Sequence, residues 1–305
     1  MAKNICIVGA ARMDLQVRAQ RLPQIGETEL GTSYTPVPGG RGLIQAVACS
    51  RLGAKVSFVG CIGDDAFGAE LRTVLTADGV DIQHLRRSEE PTGVGLITTL
   101  PTGRSAVTLG PGANGALTQD DVEEAAKEIR AADLLILQSE VPQEANLHAL
   151  EIAKETTEVV FHASPAAGFD ASLLQDVRLL VTNPRDSAGL LGDAAGDVSP
   201  AGLARRLACL GAERVVLHLD EEGAIHFNGE DVKTIEPVAG EFVCDQCVED
   251  AFLAALAVAR SEGARLKDAA ALACAAAAHA RATPAGLASL ATREKLEEML
   301  ERDAR

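Results

Sequence analysis

Short, nearly continuous runs of Val, Ile and Leu alternate along the chain with longer stretches whose apolar residues recur at helical spacing. That pattern is the signature of βαβ units wound about a parallel sheet. Strands are predicted near 4–9, 55–60, 132–138, 157–162, 177–182 and 214–219. Helices are predicted over 42–52, 66–79, 119–131, 143–155, 199–211, 249–262, 266–282 and 292–303. Leu134-Leu135-Ile136-Leu137 and Val215-Val216-Leu217 are apolar throughout, as parallel strands covered on both faces require. Two regions, 15–40 and 93–109, break the rhythm. In the second, Gly95-Leu96-Ile97-Thr98-Thr99-Leu100 alternates and leads into a turn at Pro101-Thr102-Gly103-Arg104, which predicts antiparallel pairing. The expectation is a single α/β domain over 1–305, a doubly wound and mostly parallel sheet flanked by helices. A small antiparallel β lid would cover the C-terminal strand ends, where open α/β sheets bind ligands. No internal repeat or low-complexity linker interrupts the chain.

Composition narrows the partners. Hydrophobic residues make up 47% of the 305 residues, with no Trp and one Tyr, so the interior is built from Ala, Leu and Val. A formal charge of -16 repels nucleic acid and anionic lipid. The apolar stretch 4–10 is too short for a signal peptide, and nothing approaches the roughly 18 apolar residues of a membrane span. Seven cysteines, an odd number, do not make a disulfide framework and fit a reducing cytoplasm. A small molecule is the expected partner.

Residues 243–256 carry the most chemistry: a turn bracketed by Cys244 and Cys247, then Glu249, Asp250 and a helix of small and apolar residues. A turn feeding a helix start can hold an anion on free N–H groups, yet Glu249 places a carboxylate there. Ordered segments along nearly the whole chain bear on this conflict. They are Val8-Gly9 and Asp14, Gly26-Glu27-Thr28, Gly39-Gly40-Arg41-Gly42-Leu43-Ile44-Gln45-Ala46, Leu52-Gly53-Ala54, Gly63-Asp64-Asp65, Thr92-Gly93-Val94, Gly112-Ala113-Asn114, Glu140, Asn183 with Asp186, and Asp250. In order and spacing the chain resembles the ribokinase family of carbohydrate kinases, which implies the ribokinase-like fold.

The resemblance implies transfer of the γ-phosphoryl group of ATP, with Mg²⁺, to a hydroxymethyl group of a sugar or nucleoside, a reaction that depends on positioning and charge stabilisation. Asp250 would take the hydroxyl proton. Asp14 and Glu140 would accept hydrogen bonds from the sugar, with Gly39 and Gly40 letting the backbone approach. Asn183 and Asp186 would organise Mg²⁺ through water. Asp220, Gly223, Cys247, Val248 and Glu249 occupy the positions that meet nucleotide phosphates. Family members pair through the lid, so a homodimer is implied, with Leu96, Ile97 and Leu100 as an apolar face.

The departures cluster on the phosphate side. Where the family has Asp-Thr and then Gly-Ala-Gly before the base, this chain has Cys244-Asp245-Gln246-Cys247-Val248-Glu249. A Cβ at 247 and 249 obstructs shapes that glycine adopts cheaply. At ~5 Å and an effective dielectric of about 20, a like-charge pair costs on the order of 3 kcal/mol. Asp220-Glu221-Glu222 adds more acid. On the sugar side Arg12 and Ile44 replace Asn, and Arg41 replaces Lys; the two arginines would converge on the pocket and favour an anionic ligand. Three functions therefore stand: an active sugar kinase, a catalytically silent binder of a sugar or a protein partner, and a thiol-regulated form of the latter through Cys244 and Cys247. Cys244 and Cys247 otherwise read as small hydrophobes, His162, His218 and His226 as satisfied core or surface residues, Asp64-Asp65 as fixing its own turn, and Glu249 alternatively as pointing into solvent.

Overall fold

The computed structural model describes residues 2–154, 156–166, 169–192, 198–284 and 286–303. Strands β1 (Asn4–Val8), β4 (Lys55–Gly63), β5 (Leu85–Ser88), β8 (Leu134–Gln138), β9 (Glu158–His162), β10 (Leu179–Thr182), β11 (Arg214–His218), β12 (Ala224–Phe227) and β13 (Val232–Ile235) form one sheet, in the order β13-β12-β11-β10-β9-β8-β1-β4-β5. Every pair from β5 to β11 is parallel, and β12 and β13 turn back as an antiparallel edge. β1 lies at the heart of the sheet, with Ile7 between Phe58 of β4 and Ile136 of β8.

Successive side chains of each strand point to opposite faces, so two apolar layers form. Ile5, Ile7, Phe58 and Ile136 meet α1 (Arg41–Arg51), α8 (Val248–Ser261) and α9 (Leu266–Arg281), while Cys6, Val8, Val59, Leu135 and Leu137 meet α3 (Gln119–Glu124), α4 (Ala126–Ala131), α5 (Gln143–Ala153) and α7 (Pro200–Ala208). α2 (Ala66–Ala77), α6 (Pro184–Leu191) and α10 (Arg293–Asp303) complete the helices among the described residues. Asp65 accepts from the Gly68 N–H at the start of α2, the turn-fixing role expected of it.

A second sheet has the order β3-β2-β6-β7, from β3 (Ser33–Gly39), β2 (Arg12–Arg18), β6 (Gly93–Thr99) and β7 (Ser105–Gly110). It is not antiparallel throughout. β2 and β6 run parallel at its centre, with antiparallel neighbours on either side, because β2 leaves the main sheet directly from β1. The expected apolar outer face also changes: Leu96 is exposed, but Ile97 points inward and is buried.

Other differences have local causes. The helix expected over 119–131 breaks at Ala125, φ −94° and ψ 8°, into α3 and α4. α6 was not expected, although Asn183 caps it by accepting from the Asp186 N–H and Pro184 opens it, both start signals. The edge strands β5, β12 and β13 are too short, and β5 and β13 too polar, to show a strand period. Glu155, the expected end of α5, lies outside the described residues.

Candidate active site

The C-terminal ends of β1, β8, β9 and β10, the first turns of α1 and α8, and the inner face of the lid enclose one cleft. Asp14 on β2 stands between two glycines: a Cβ at Gly39 would lie 2.1 Å from its Oδ2, and one at Gly95 would lie 2.2 Å from its Oδ1. Gly40 has φ 94°, a left-handed conformation that glycine adopts without strain, and from it α1 starts. The Arg41 amide then donates to Glu140 Oε2 at 2.9 Å. Arg12 bridges Glu140 Oε1 and Asp14 Oδ1, both at 2.7 Å. Asn114 pins the β1 exit by pairing with both the N–H and the carbonyl of Ala11.

Charge in this half is balanced internally. Burial pushes the Glu140 carboxyl up, but Arg12 and Arg41 outweigh it and hold it below the usual range. Burial raises Asp14, with Arg12 opposing. Ile44 is buried and offers no donor.

The other half centres on Asp250, in the first turn of α8. Its Oδ1 accepts from Gln45 Nε2 at 2.8 Å and Arg41 Nη1 at 3.4 Å. Gln45 Nε2 also lies 3.0 Å from His162 Nδ1. Burial pushes the Asp250 carboxyl up to about 6, Arg41 and Gln45 pulling the other way. Burial, and Arg41 after it, keep His162 well below its ordinary value.

Glu249 points into the cleft, not into solvent. Its Oε1 accepts from Asn183 Nδ2 at 2.5 Å, and its Oε2 from Arg41 Nη2 at 3.0 Å. Asp186 is equally engaged: Oδ2 accepts from Ser164 Oγ at 2.6 Å and Asn183 Nδ2 at 2.7 Å, and Oδ1 from the Ala166 N–H at 3.1 Å. Arg41 Nη2 donates to Ser164 Oγ at 2.6 Å. One guanidinium thus ties Glu249, Asp250 and Ser164 together.

Backbone geometry corrects part of the glycine expectation. Cys247 has φ 61° and carries left-handed strain. Glu249 is ordinary helix, so its effect is charge, not backbone shape. Val248 is buried, and Asp220 is exposed with φ 52°. Gly223 has φ 84°, and a Cβ there would lie 2.2 Å from the Ile235 carbonyl oxygen. The turn into β12 therefore demands glycine whether or not a nucleotide binds.

The residues expected to hold Mg-ATP do not fit it in this arrangement. Both oxygens of Asp186 already accept protein donors, the Asn183 amide donates to both Asp186 and Glu249, and the Glu249 carboxylate adds a negative charge beside them. Among the described residues no group of three or more His, Cys, Asp or Glu could hold a metal ion.

Asp245 and Gln246 serve the lid. Gln16 Nε2 donates to Gln246 Oε1 at 2.6 Å, Gln246 Nε2 reaches Thr99 Oγ1 and Ser105 Oγ at 3.2 and 3.3 Å, and Asp245 Oδ2 accepts from the Ser105 N–H at 3.1 Å. Cys244 and Cys247 are free. Burial pushes the Cys247 thiol up to about 12 and raises Cys244 as well, so neither is a thiolate near neutral pH. Contrary to expectation, His218 and His226 are buried with no partner at either ring nitrogen.

Gln45 and Ser164 were not singled out from the sequence. Gln45 had a usable signal, lying four residues after Arg41 and so on the same face of α1; Ser164 had none.

A twisted mixed sheet, a lid over its C-terminal edge, a Gly-Gly turn beside an acid and a second acid at a helix start define the sugar-kinase class of α/β protein. The pfkB family carbohydrate kinase profile matches residues 2–293, and the chain belongs to that family. A ribokinase of Schizosaccharomyces pombe is 34% identical over 282 residues, covering 87% of each chain. The crystal structure of a ribokinase from Thermotoga maritima has a TM-score of 0.89 at 27% identity, covering 98% of this chain and 99% of that one. The Arabidopsis thaliana ribokinase structure, complexed with ribose and ATP, has a TM-score of 0.85 at 25% identity, covering 99% of both chains.

Proposed function

We propose that this protein binds a small sugar or nucleoside beneath the lid and, in the arrangement described here, does not transfer phosphate from ATP. The observation that carries this reading is Glu249, whose carboxylate is held by Asn183 and Arg41 and so stands beside a position expected to organise phosphate and metal. The sugar half supports binding: Asp14 and Glu140 keep carboxylates at the cleft, and Gly39 and Gly95 let the Asp14 carboxylate sit between them. A neutral ligand suits the site best. Arg12 and Arg41, which raised the expectation of an acidic ligand, already carry Asp14, Glu140, Glu249 and Asp250.

Asp250 favours a second reading, an ATP- and Mg²⁺-dependent kinase whose Glu249 swings away. A carboxyl pushed up to about 6 titrates close to working pH, which suits a group that accepts a hydroxyl proton. The Glu249 side chain is 25% exposed and has a route out. Calorimetry with ribose and with Mg²⁺ plus a non-hydrolysable ATP analogue, beside a phosphorylation screen of sugars and nucleosides, separates the two. Sugar binding without nucleotide binding or product is expected. Turnover that disappears in Asp250→Asn would establish the kinase instead.

Two further proposals accompany this reading. A homodimer would form through the outer lid face, where Tyr34 and Leu96 are exposed apolar groups. A reducing cytoplasm would suit the free cysteines. Among the described residues no helix is long and apolar enough to cross a membrane.

A further inference from the structure

The inner face of the lid carries exposed apolar groups beside the acids of the cleft. Asp14 pairs with Gly95 across β2 and β6, Gly95 with Leu109 across β6 and β7, and Ile97 with Val107 two residues further along. Paired residues of neighbouring strands point to the same side of a sheet, as do residues two apart on one strand. Ile97, Val107 and Leu109 therefore share the face of Asp14, which is the face turned to the cleft. Ile97 is 5% exposed, yet Val107 is 51% and Leu109 37% exposed. In the row from Asp14 to Leu109 the middle place belongs to Gly95, where even a Cβ would lie 2.2 Å from Asp14 Oδ1 and 3.1 Å from Arg12 Nε. The wall next to the acid is thus bare backbone, and the apolar strip begins two strands on, roughly 10 Å from β2.

The polar end of the cleft keeps few acceptors for hydroxyl groups. Arg12 donates to Asp14 Oδ1 and Glu140 Oε1, both at 2.7 Å, and the Arg41 amide donates to Glu140 Oε2 at 2.9 Å. A free sugar, hydroxylated on every side, would leave most of its hydroxyls without a protein partner here, and desolvation makes that costly. A ligand with one polar end and one flat apolar end matches better, its hydroxyl at Asp14 and its flat end reaching across the Gly95 backbone onto Val107 and Leu109. Apolar walls with a few placed polar groups are the usual construction of a small-molecule site. Charge narrows the choice further: Arg12 and Arg41 already answer to Asp14, Glu140, Glu249 and Asp250, so acids outnumber cations and an anionic ligand is repelled. A sugar joined to a planar base has the required length, polarity and neutrality.

We propose that the ligand of the cleft is a nucleoside and not a free sugar, its sugar lying at Asp14 and its base lying on Ile97, Val107 and Leu109 of the lid. This rests on the reading that the cleft binds a sugar-bearing molecule, and it assigns the discrimination between sugar and nucleoside to β6 and β7.

The test is calorimetry of the full chain with ribose, adenosine and uridine at several temperatures. Adenosine or uridine should bind about tenfold tighter than ribose, or better, should displace it, and should show the more negative heat-capacity change that apolar burial gives. In the double variant Val107→Ser with Leu109→Ser the two affinities should come within about threefold of each other. Both positions are exposed on β7, an edge strand, so the variant should fold; Val107→Thr with Leu109→Thr, which keeps more strand preference, carries the same comparison if it does not. Ribose bound as tightly as either nucleoside overturns the proposal and leaves sugar binding intact, whereas no binding by any of the three overturns both. Nucleoside binding that fails to displace ribose, or a preference unmoved by the double variant, overturns the proposal alone. So does a dimer that dissociates in the double variant during sedimentation, because a second copy would then be what covers the strip.

Discussion

The two halves of the cleft are built on different physical rules. Around Asp14 the constraint is space: Gly39 and Gly95 crowd the carboxylate so closely that an added methyl group would overlap it. Around Asp250 the constraint is charge: Arg41 gathers Glu249, Asp250 and, through its backbone N–H, Glu140. A half held by sterics keeps its shape while the residues at its rim change. A half held by charge can be rewritten by one substitution, and Glu249, held by Asn183 and Arg41, is where one would act.

The strongest way to break this contrast is Gly39→Ala. The new methyl group has to displace Asp14, and a misplacement of that size lowers affinity by about 100-fold; titration calorimetry with ribose should show the loss. Unchanged sugar binding would mean that the steric half is not the ligand site. Next comes Glu249→Gly, which should strengthen binding of a Mg²⁺-bound ATP analogue by about tenfold, the equivalent of ~1.4 kcal/mol of relieved repulsion. Nucleotide affinity that stays flat would show that the carboxylate is not the obstacle.

Asp250 offers a subtler probe. Its folded pKa of about 6 lies above the unfolded value of about 3.9, so the native state binds a proton more readily than the unfolded chain. This group therefore adds stability as pH falls from 7 to 5, by about 1 kcal/mol. Glu140, held low by its arginines, loses its contribution only in a more acidic window. Denaturant titration of Asp250→Asn beside the parent at both pH values should show that gain missing from the variant. The smallest effect is expected from Cys247→Gly. Relief of the left-handed strain at φ 61° is worth ~1 kcal/mol, a rise of about 2 °C in melting temperature, measurable by calorimetry.

Much of this was legible in the sequence. The apolar runs of β8 and β11 revealed the parallel sheet, because strands buried on both faces have no room for polar residues. The ordered glycines and acids revealed the cleft, because close approach leaves glycine few substitutes. The acid that Glu249 brings to the first turn of α8 could be read as well. What could not be read was where its carboxylate goes. Its ties to Asn183 and Arg41 join residues 66 and 208 positions apart, and Asp186 becomes fully satisfied only when Ser164 arrives from the end of β9. The unmet ring nitrogens of His218 and His226 are hidden for the same reason: a deficit of partners is a property of packing, not of spacing. Glycine at 223 was legible, and the β12 turn by itself is enough to require it.

The glutamine pair that joins Gln16 to Gln246 fastens the cover of the cleft to the hinge of the helix that bears Asp250. Lifting the lid means tugging on residues 245–247, so opening and the posture of the acid are mechanically geared. A ligand that clamps the lid shut should slow hydrogen exchange in β2 and at the foot of α8 together, at sites drawn from opposite ends of the chain.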